Sequence, residues 1–208
     1  WGAKYKNKLI GNHGNFTVFS FQAIKHLTTG DGGLIISPDD ITHRKVKLLR
    51  WYGLDRTSSA DFRCSQNIEK WGYKFHMNDI NASIGIKNLP LSQQVISKHK
   101  ENGVFLNEAL KNVPGVKLLE NNPDRESTYW IYTLNVEKKE NFIKKMNESG
   151  ITTSLVHDRN DKHECFSSSK CFLPGMDKSS ESSICIPCGW WVTPEERQHI
   201  VDCIRGGW

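Results

Sequence analysis

No apolar stretch in this chain approaches the roughly 20 positions that a membrane-spanning helix needs, so no membrane role is expected. No internal repeat is legible, and no secretory leader pattern opens the chain. It begins on Trp1 where a Met would initiate, and WGAKYKNKLIGNHG starts in mid-pattern; we expect an N-terminal part of the protein to precede it. A basic stripe is also missing. The balance of 28 Lys and Arg against 23 Asp and Glu gives +5, with 8 histidines uncounted. The cations fall in three separated groups, Lys4/Lys6/Lys8, Arg44/Lys45/Lys47 and Lys138/Lys139/Lys144/Lys145, each mixed with polar or apolar positions. These read as solvated faces with weak attraction for small anions, and no nucleic-acid partner is expected.

A second tight cysteine pair is lacking too. Of the 6 cysteines, Cys185 and Cys188 have the CxxC spacing, but Cys165 and Cys171 stand too far apart for a usual zinc knuckle. Pro187 and the flanking isoleucines fit a buried strand, SSICIP, ending at a turn, so the expectation is reduced thiols and no metal ligands. A non-catalytic zinc-binding or interaction module built on these cysteines remains the alternative reading.

What is present suits a soluble α/β protein. Apolar residues make up 37% and charged residues 25% of 208 positions, enough for one large domain or two small ones. Residues 16–21 alternate and are β-branched or aromatic, and 33–37 form a second short apolar run, so both predict strands. A helix follows from Pro38-Asp39-Asp40 with Val46, Leu48 and Leu49, then a long polar loop over 52–70. Helical spacing runs from 78 to about 110, broken by Pro90. Residues 128–136 predict a strand, 138–149 an amphipathic helix and 151–156 another strand; 157–182 is polar and Ser-rich with no assigned structure. Thr193-Pro194-Glu195-Glu196 has the cap, first-turn proline and third-position Glu of a helix start. The order suggests an α/β domain over residues 1–90 and a smaller α/β domain over 91–208.

Lys25 stands between an apolar run and the turn Thr28-Thr29-Gly30-Asp31-Gly32-Gly33. Its bland reading is a stem lying along a strand end with the head in water. Its surroundings suggest more. Ser20 offers a hydroxyl five residues earlier, and the glycines let the backbone approach a ligand closely. A partly desolvated lysine has a lowered pKa, and its neutral amine is a nucleophile towards carbonyls.

SFQAIKHLTTGDGGLI (20–35) resembles the lysine signature of the DegT/DnrJ/StrS family of nucleotide-sugar aminotransferases. LLRWYGLDR (48–56), WGYKFHMNDINASIGIKNL (71–89), STYWIYTLNV (127–136), GITTSLVHDRNDKH (150–163) and CIPCGWWVTPEE (185–196) resemble further family blocks in order, the WYGLDR and VHDRNDKH forms being similar to perosamine-synthase-like members. The resemblance implies the pyridoxal-phosphate (PLP) type I aminotransferase fold, here the C-terminal part of the large domain plus the small C-terminal domain. It implies that Lys25 bonds the cofactor's aldehyde carbon and shuttles the proton, and that Ser20 holds the cofactor phosphate. The GYKF loop would reach the neighbouring subunit's cofactor phosphate in a homodimer; Lys74 stands there where many members carry Asn. His157, Arg159 and Asn160 would help shape the sugar site, though an exposed polar loop is an equal reading of them. Further implied are a nucleotide-linked keto sugar and an amino donor, glutamate, as substrates, a cytoplasmic location, and an Asp for the pyridine nitrogen about five positions before Trp1. With that Asp outside the chain, weak cofactor binding and little turnover are expected of these 208 residues alone. A degenerate, cofactor-free structural partner is the third reading, and Lys25, Ser20 and the glycine turn together speak against it.

Overall fold

The computed structural model describes residues 1–59 and 62–208. In chain order the strands β1 (Lys4–Tyr5), β2 (Lys8–Leu9), β3 (Thr17–Ser20) and β4 (Gly33–Ile36) lead into the helices α1 (Asp40–Leu49) and α2 (Asp79–Asn88). A 3-10 turn over Leu89–Leu91 separates α2 from the longer α3 (Ser92–Leu110). Then come β5 (Val116–Leu118), β6 (Arg125–Glu126), β7 (Tyr132–Val136), α4 (Lys139–Glu148), α5 (Pro174–Ser182), β8 (Ser183–Ile186) and α6 (Pro194–Arg205).

The helix starts follow their capping chemistry. Asp39 accepts the Thr42 amide at 2.7 Å ahead of α1, and Asn78 accepts the Asn81 amide at 2.9 Å ahead of α2. At α6, Thr193 accepts the Glu196 amide while the Glu196 carboxylate accepts the Thr193 amide, a complete capping box. Pro90, which has no amide proton, sits in the 3-10 turn that ends α2.

The chain divides into two compact units, Trp1–Gln94 with Asp124–Glu126, and Val95–Pro123 with Ser127–Trp208. In the first, β3 and β4 pair antiparallel with Ser20 opposite Gly33, and β1 lies between β2 and β6. In the second, β7 is the centre of an antiparallel sheet ordered β5-β7-β8. Tyr132, Leu134 and Val136 alternate into its buried face. There they join Leu106 and Leu110 of α3, Phe142 and Met146 of α4, and Ile200, Val201 and Ile204 of α6.

Three segments differ from the sequence reading. The strand expected over 128–136 starts only at Tyr132, because Tyr129 takes a left-handed backbone (φ 49°) that interrupts extended structure. Residues 151–156 are not a strand; the only pairing recorded there is the Ser154–Cys185 bridge beside β8. The polar stretch 157–182 contains α5, started by Pro174 at its first position. Of the loop expected over 52–70, residues 60 and 61 lie outside the described residues; the rest is irregular apart from a short 3-10 turn at Arg63–Ser65.

Candidate active site

Lys25 is carried by a tight turn directly after β3. Ser20 Oγ accepts the Gln22 amide at 3.2 Å, Gln22 Oε1 accepts the Ile24 amide at 3.3 Å, and the Lys25 amide donates to the Gln22 carbonyl at 2.9 Å. The chain then turns inward, burying His26, Leu27 and Thr29 and leaving Lys25 at the half-buried edge. Burial lowers the Lys25 ammonium below its usual value of 10.5, since desolvation disfavours the charged form. The Trp1 ring packs on Phe19 and Phe21 at 4.7 and 5.3 Å.

The glycine turn behind Lys25 is held by polar side chains that the sequence reading passed over. Asn81 donates to the carbonyls of Thr29 (2.8 Å) and Asp31 (2.9 Å), and Asn88, two turns later on the same face of α2, donates to the carbonyl of Thr28 (3.0 Å). Thr28 Oγ1 donates to the Phe21 carbonyl and accepts the Gly30 amide at 2.8 Å. Gly32 (φ 146°) has no room for a side chain: a Cβ there would lie 2.8 Å from both Met77 and Thr29. The signal available in the sequence was the i, i+7 spacing of two asparagines in a helix, where such residues are otherwise unfavourable.

Lys74 lies in the same unit, on a segment zipped to the end of α1. Tyr73 donates to the Leu49 carbonyl at 2.6 Å, Phe75 to the Arg50 carbonyl at 2.9 Å and Tyr52 to the Tyr73 carbonyl at 3.0 Å, giving the Trp51–Lys74 bridge. The approach requires glycine at 72, where a Cβ would fall 2.5 Å from the Gly53 nitrogen. Extended backbone then sends Trp71, Tyr73 and Phe75 to one side, where Tyr73 stacks on Phe75 at 4.6 Å and Phe75 is 74% exposed.

His157, Arg159 and Asn160 belong to the second unit, and they do not share a recess. His157 lines a cavity of about 460 Å³ with Asn107, Tyr129, Glu120 and Cys185. Tyr129 accepts from the Asn107 amide and Tyr132 donates to the Asn107 carbonyl, each at 2.8 Å. Asn160 lines a different cavity of about 300 Å³ with Arg159, Phe166 and Met176. The Arg159 side chain, 11% exposed, is committed to protein: it grips both oxygens of Asp161 at 2.7 and 2.5 Å, pairs with Asp177, and donates to the Cys171 carbonyl at 3.1 Å. Asp158, held by Lys162 and the Arg159 amide, is lowered to about 2.

The zinc alternative finds no support. Cys188 points its thiol at the His99 carbonyl (3.6 Å), and burial pushes it up to about 12. Among the described residues no three His, Cys, Asp or Glu side chains group to hold a metal, and no helix is long and apolar enough to cross a membrane.

Residues 1–205 match the DegT/DnrJ/EryC1/StrS aminotransferase family. Over its whole length the structure superposes on a protein from Actinomadura melliaura at TM-score 0.96 and 43% identity, covering 56% of that chain. It also superposes on a sugar aminotransferase from Micromonospora echinospora at TM-score 0.95 and 39% identity, again over 56% of that chain. In sequence, 85% of the chain is 28% identical to 48% of a dTDP-4-dehydro-2,3,6-trideoxy-D-glucose 4-aminotransferase from Saccharopolyspora spinosa. The chain thus spans about half the length of the relatives it matches. These likenesses place it on a partial α/β aminotransferase fold.

Proposed function

Because the chain belongs to the DegT/DnrJ/EryC1/StrS aminotransferase family, we propose that its protein moves an amino group onto a nucleotide-linked keto sugar, using pyridoxal phosphate and an amino donor, glutamate. The observation that carries this reading is Lys25, a partly buried amine with a lowered pKa, set between the Ser20 hydroxyl and a glycine turn that admits close backbone approach.

These residues suit the cofactor. Neutral Lys25 would bond its aldehyde carbon with loss of water, and the Ser20 hydroxyl would donate a hydrogen bond to the phosphate. When bound, the cofactor supplies a sink for the electron pair left on the substrate carbon as its C–H bond breaks. Lys25 would take that proton on Nζ and give it back on the other side of the substrate nitrogen, first as base and then as acid. Desolvation lowers the Lys25 pKa, which favours the neutral amine that both steps need.

Residues 1–90 are assigned to the cofactor-binding large domain and 91–208 to the small domain, in a cytoplasmic homodimer. The exposed aromatic row Trp71, Tyr73 and Phe75 beside Lys74 supports a partner subunit there, with Lys74 as a point charge on its cofactor's phosphate. His157 and Asn160 are assigned to the sugar site. Arg159, its donors spent on Asp161 and Asp177, serves that site by fixing the segment.

Pyridoxal phosphate followed by borohydride should attach to Lys25 ahead of every other lysine, read by peptide mass. Attachment elsewhere refutes the assignment. So does undiminished amino transfer by Lys25→Ala.

A further inference from the structure

Two of the cations read from sequence as a solvated face, Arg44 and Lys47, border a recess together with further cations. His43, Lys47 and Arg50 recur at i, i+4 and i+7 on α1 with Arg44 beside them, and the chain beyond the helix folds back to set Asp55, Arg56 and Thr57 against the same space of about 550 Å³. Four permanent cations therefore face one carboxylate. That carboxylate is already engaged: Asp55 Oδ1 accepts the Thr57 amide at 2.9 Å and its hydroxyl at 2.6 Å, and Oδ2 lies 3.6 Å from Arg44. Among the described residues, Lys47, Arg50 and Arg56 have no carboxylate partner within 4.0 Å. Arg56, one of the lining cations, also lies over the Trp51 ring at 5.5 Å, which holds its guanidinium beside the helix end. The field reaches further. The His76 ring, edge-on to Trp51 at 3.9 Å, is lowered by burial and then by Lys74, Arg56 and Arg50.

Like charges gathered on one concavity repel in the free protein, and an anion with several oxygens relieves all of them at once. Guanidinium forks match phosphoryl oxygens in pairs, and the lysine adds a point charge. Two linked phosphoryl groups offer more oxygens than one to cations that come from both the helix and the loop.

We propose that this recess is a diphosphate site, in which Lys47, Arg50 and Arg56 hold a small anion carrying two linked phosphoryl groups. The site stands on its own geometry. Only the equation of its natural anion with the nucleotide part of the substrate rests on the aminotransferase reading; free diphosphate is the other source of the same chemistry.

Calorimetric titration with inorganic pyrophosphate at constant ionic strength should show saturable binding. Lys47→Ala/Arg50→Ala should weaken it at least about tenfold, the size expected for losing a charge-assisted hydrogen bond. The single variant Lys47→Ala, at an exposed position, should show a smaller loss with the fold intact. Lys144→Ala/Lys178→Ala removes two charges elsewhere and should bind like the parent. Absence of saturation, equal weakening in that control, or inorganic phosphate binding as tightly as pyrophosphate overturns the proposal. Uridine diphosphate as competitor assigns the source: tighter binding than pyrophosphate points to a nucleotide, equal binding to free diphosphate. Borohydride trapping at Lys25 in Lys47→Ala/Arg50→Ala should be unchanged, so failure of this site and failure of the lysine assignment are read separately.

Discussion

The two units are stabilised by different means. Among the described residues every buried apolar side chain except Leu27 lies in the second unit. There, helices cover one face of a sheet, and Leu134, Phe142 and Met146 are fully enclosed. The first unit shows the reverse: Val18 is 74% and Ile80 76% exposed, and α1 buries nothing. What orders it is polar, with Asn81 and Asn88 gripping the carbonyls of the turn that follows Lys25. Apolar burial gives stability without direction, whereas hydrogen bonds to specific carbonyls fix a backbone path. The unit bearing the candidate chemistry is thus the one arranged for precision, and the other supplies the core.

Truncation tests that contrast most sharply. Phe142→Ala should cost about 3–5 kcal/mol, because a fully enclosed ring leaves a cavity behind. Val18→Ala, at an exposed position of β3, should stay within about 0.5 kcal/mol. Urea unfolding followed by tryptophan fluorescence measures both. A loss from Val18→Ala as large as that from Phe142→Ala would break the comparison.

The sequence was most legible where local chemistry decides. The Thr193 capping box, the Asp39 cap, the break at Pro90 and the lysine turn all depend on residues within a few positions of one another. It failed where a distant partner decides. Residues 151–156 alternate like a strand but pair with β8 only at Ser154, and Tyr129 is held out of the extended region with its carbonyl on His99 and its ring against Gly103. The pairing of Arg159 with Asp177 was hidden because a polar, Ser-rich stretch gives no sign of the helix that carries Asp177. That Arg44, Lys47 and Arg50 border a recess with Asp55 and Arg56 was not legible either, because a helix face alone does not show the loop set against it.

Two caps with the same chemistry offer a gentler test. Thr193→Ala should cost the second unit about 1 kcal/mol, since α6 buries Ile200, Val201 and Ile204 and its fraying opens the core. Asp39→Ala removes an equivalent cap from a helix with no buried residue. It should fray α1 locally, visible as faster amide exchange at Thr42, while the urea midpoint hardly moves. Equal midpoint shifts would mean that α1 carries more of the stability than its exposure allows.

Acid should separate the same regions with the smallest effect. Asp39 is lowered from 3.8 chiefly by the Thr42 amide, and Asp158 falls to about 2 chiefly through Lys162. A carboxylate whose folded pKa is depressed stabilises fully above its unfolded value and loses that contribution as the pH falls through its folded one. Both contacts should therefore be intact above about pH 4 and weaken below it, the Asp158–Lys162 pair surviving until about pH 2. The amides that pair β7 with β8, at Leu134 and Ile184, rest on backbone bonds beneath apolar cover and should stay protected across that range. Exchange-resolved NMR from pH 5 to about pH 2 distinguishes the cases: protection lost at Thr42 and at Leu134 together would show that the sheet, too, depends on its carboxylates.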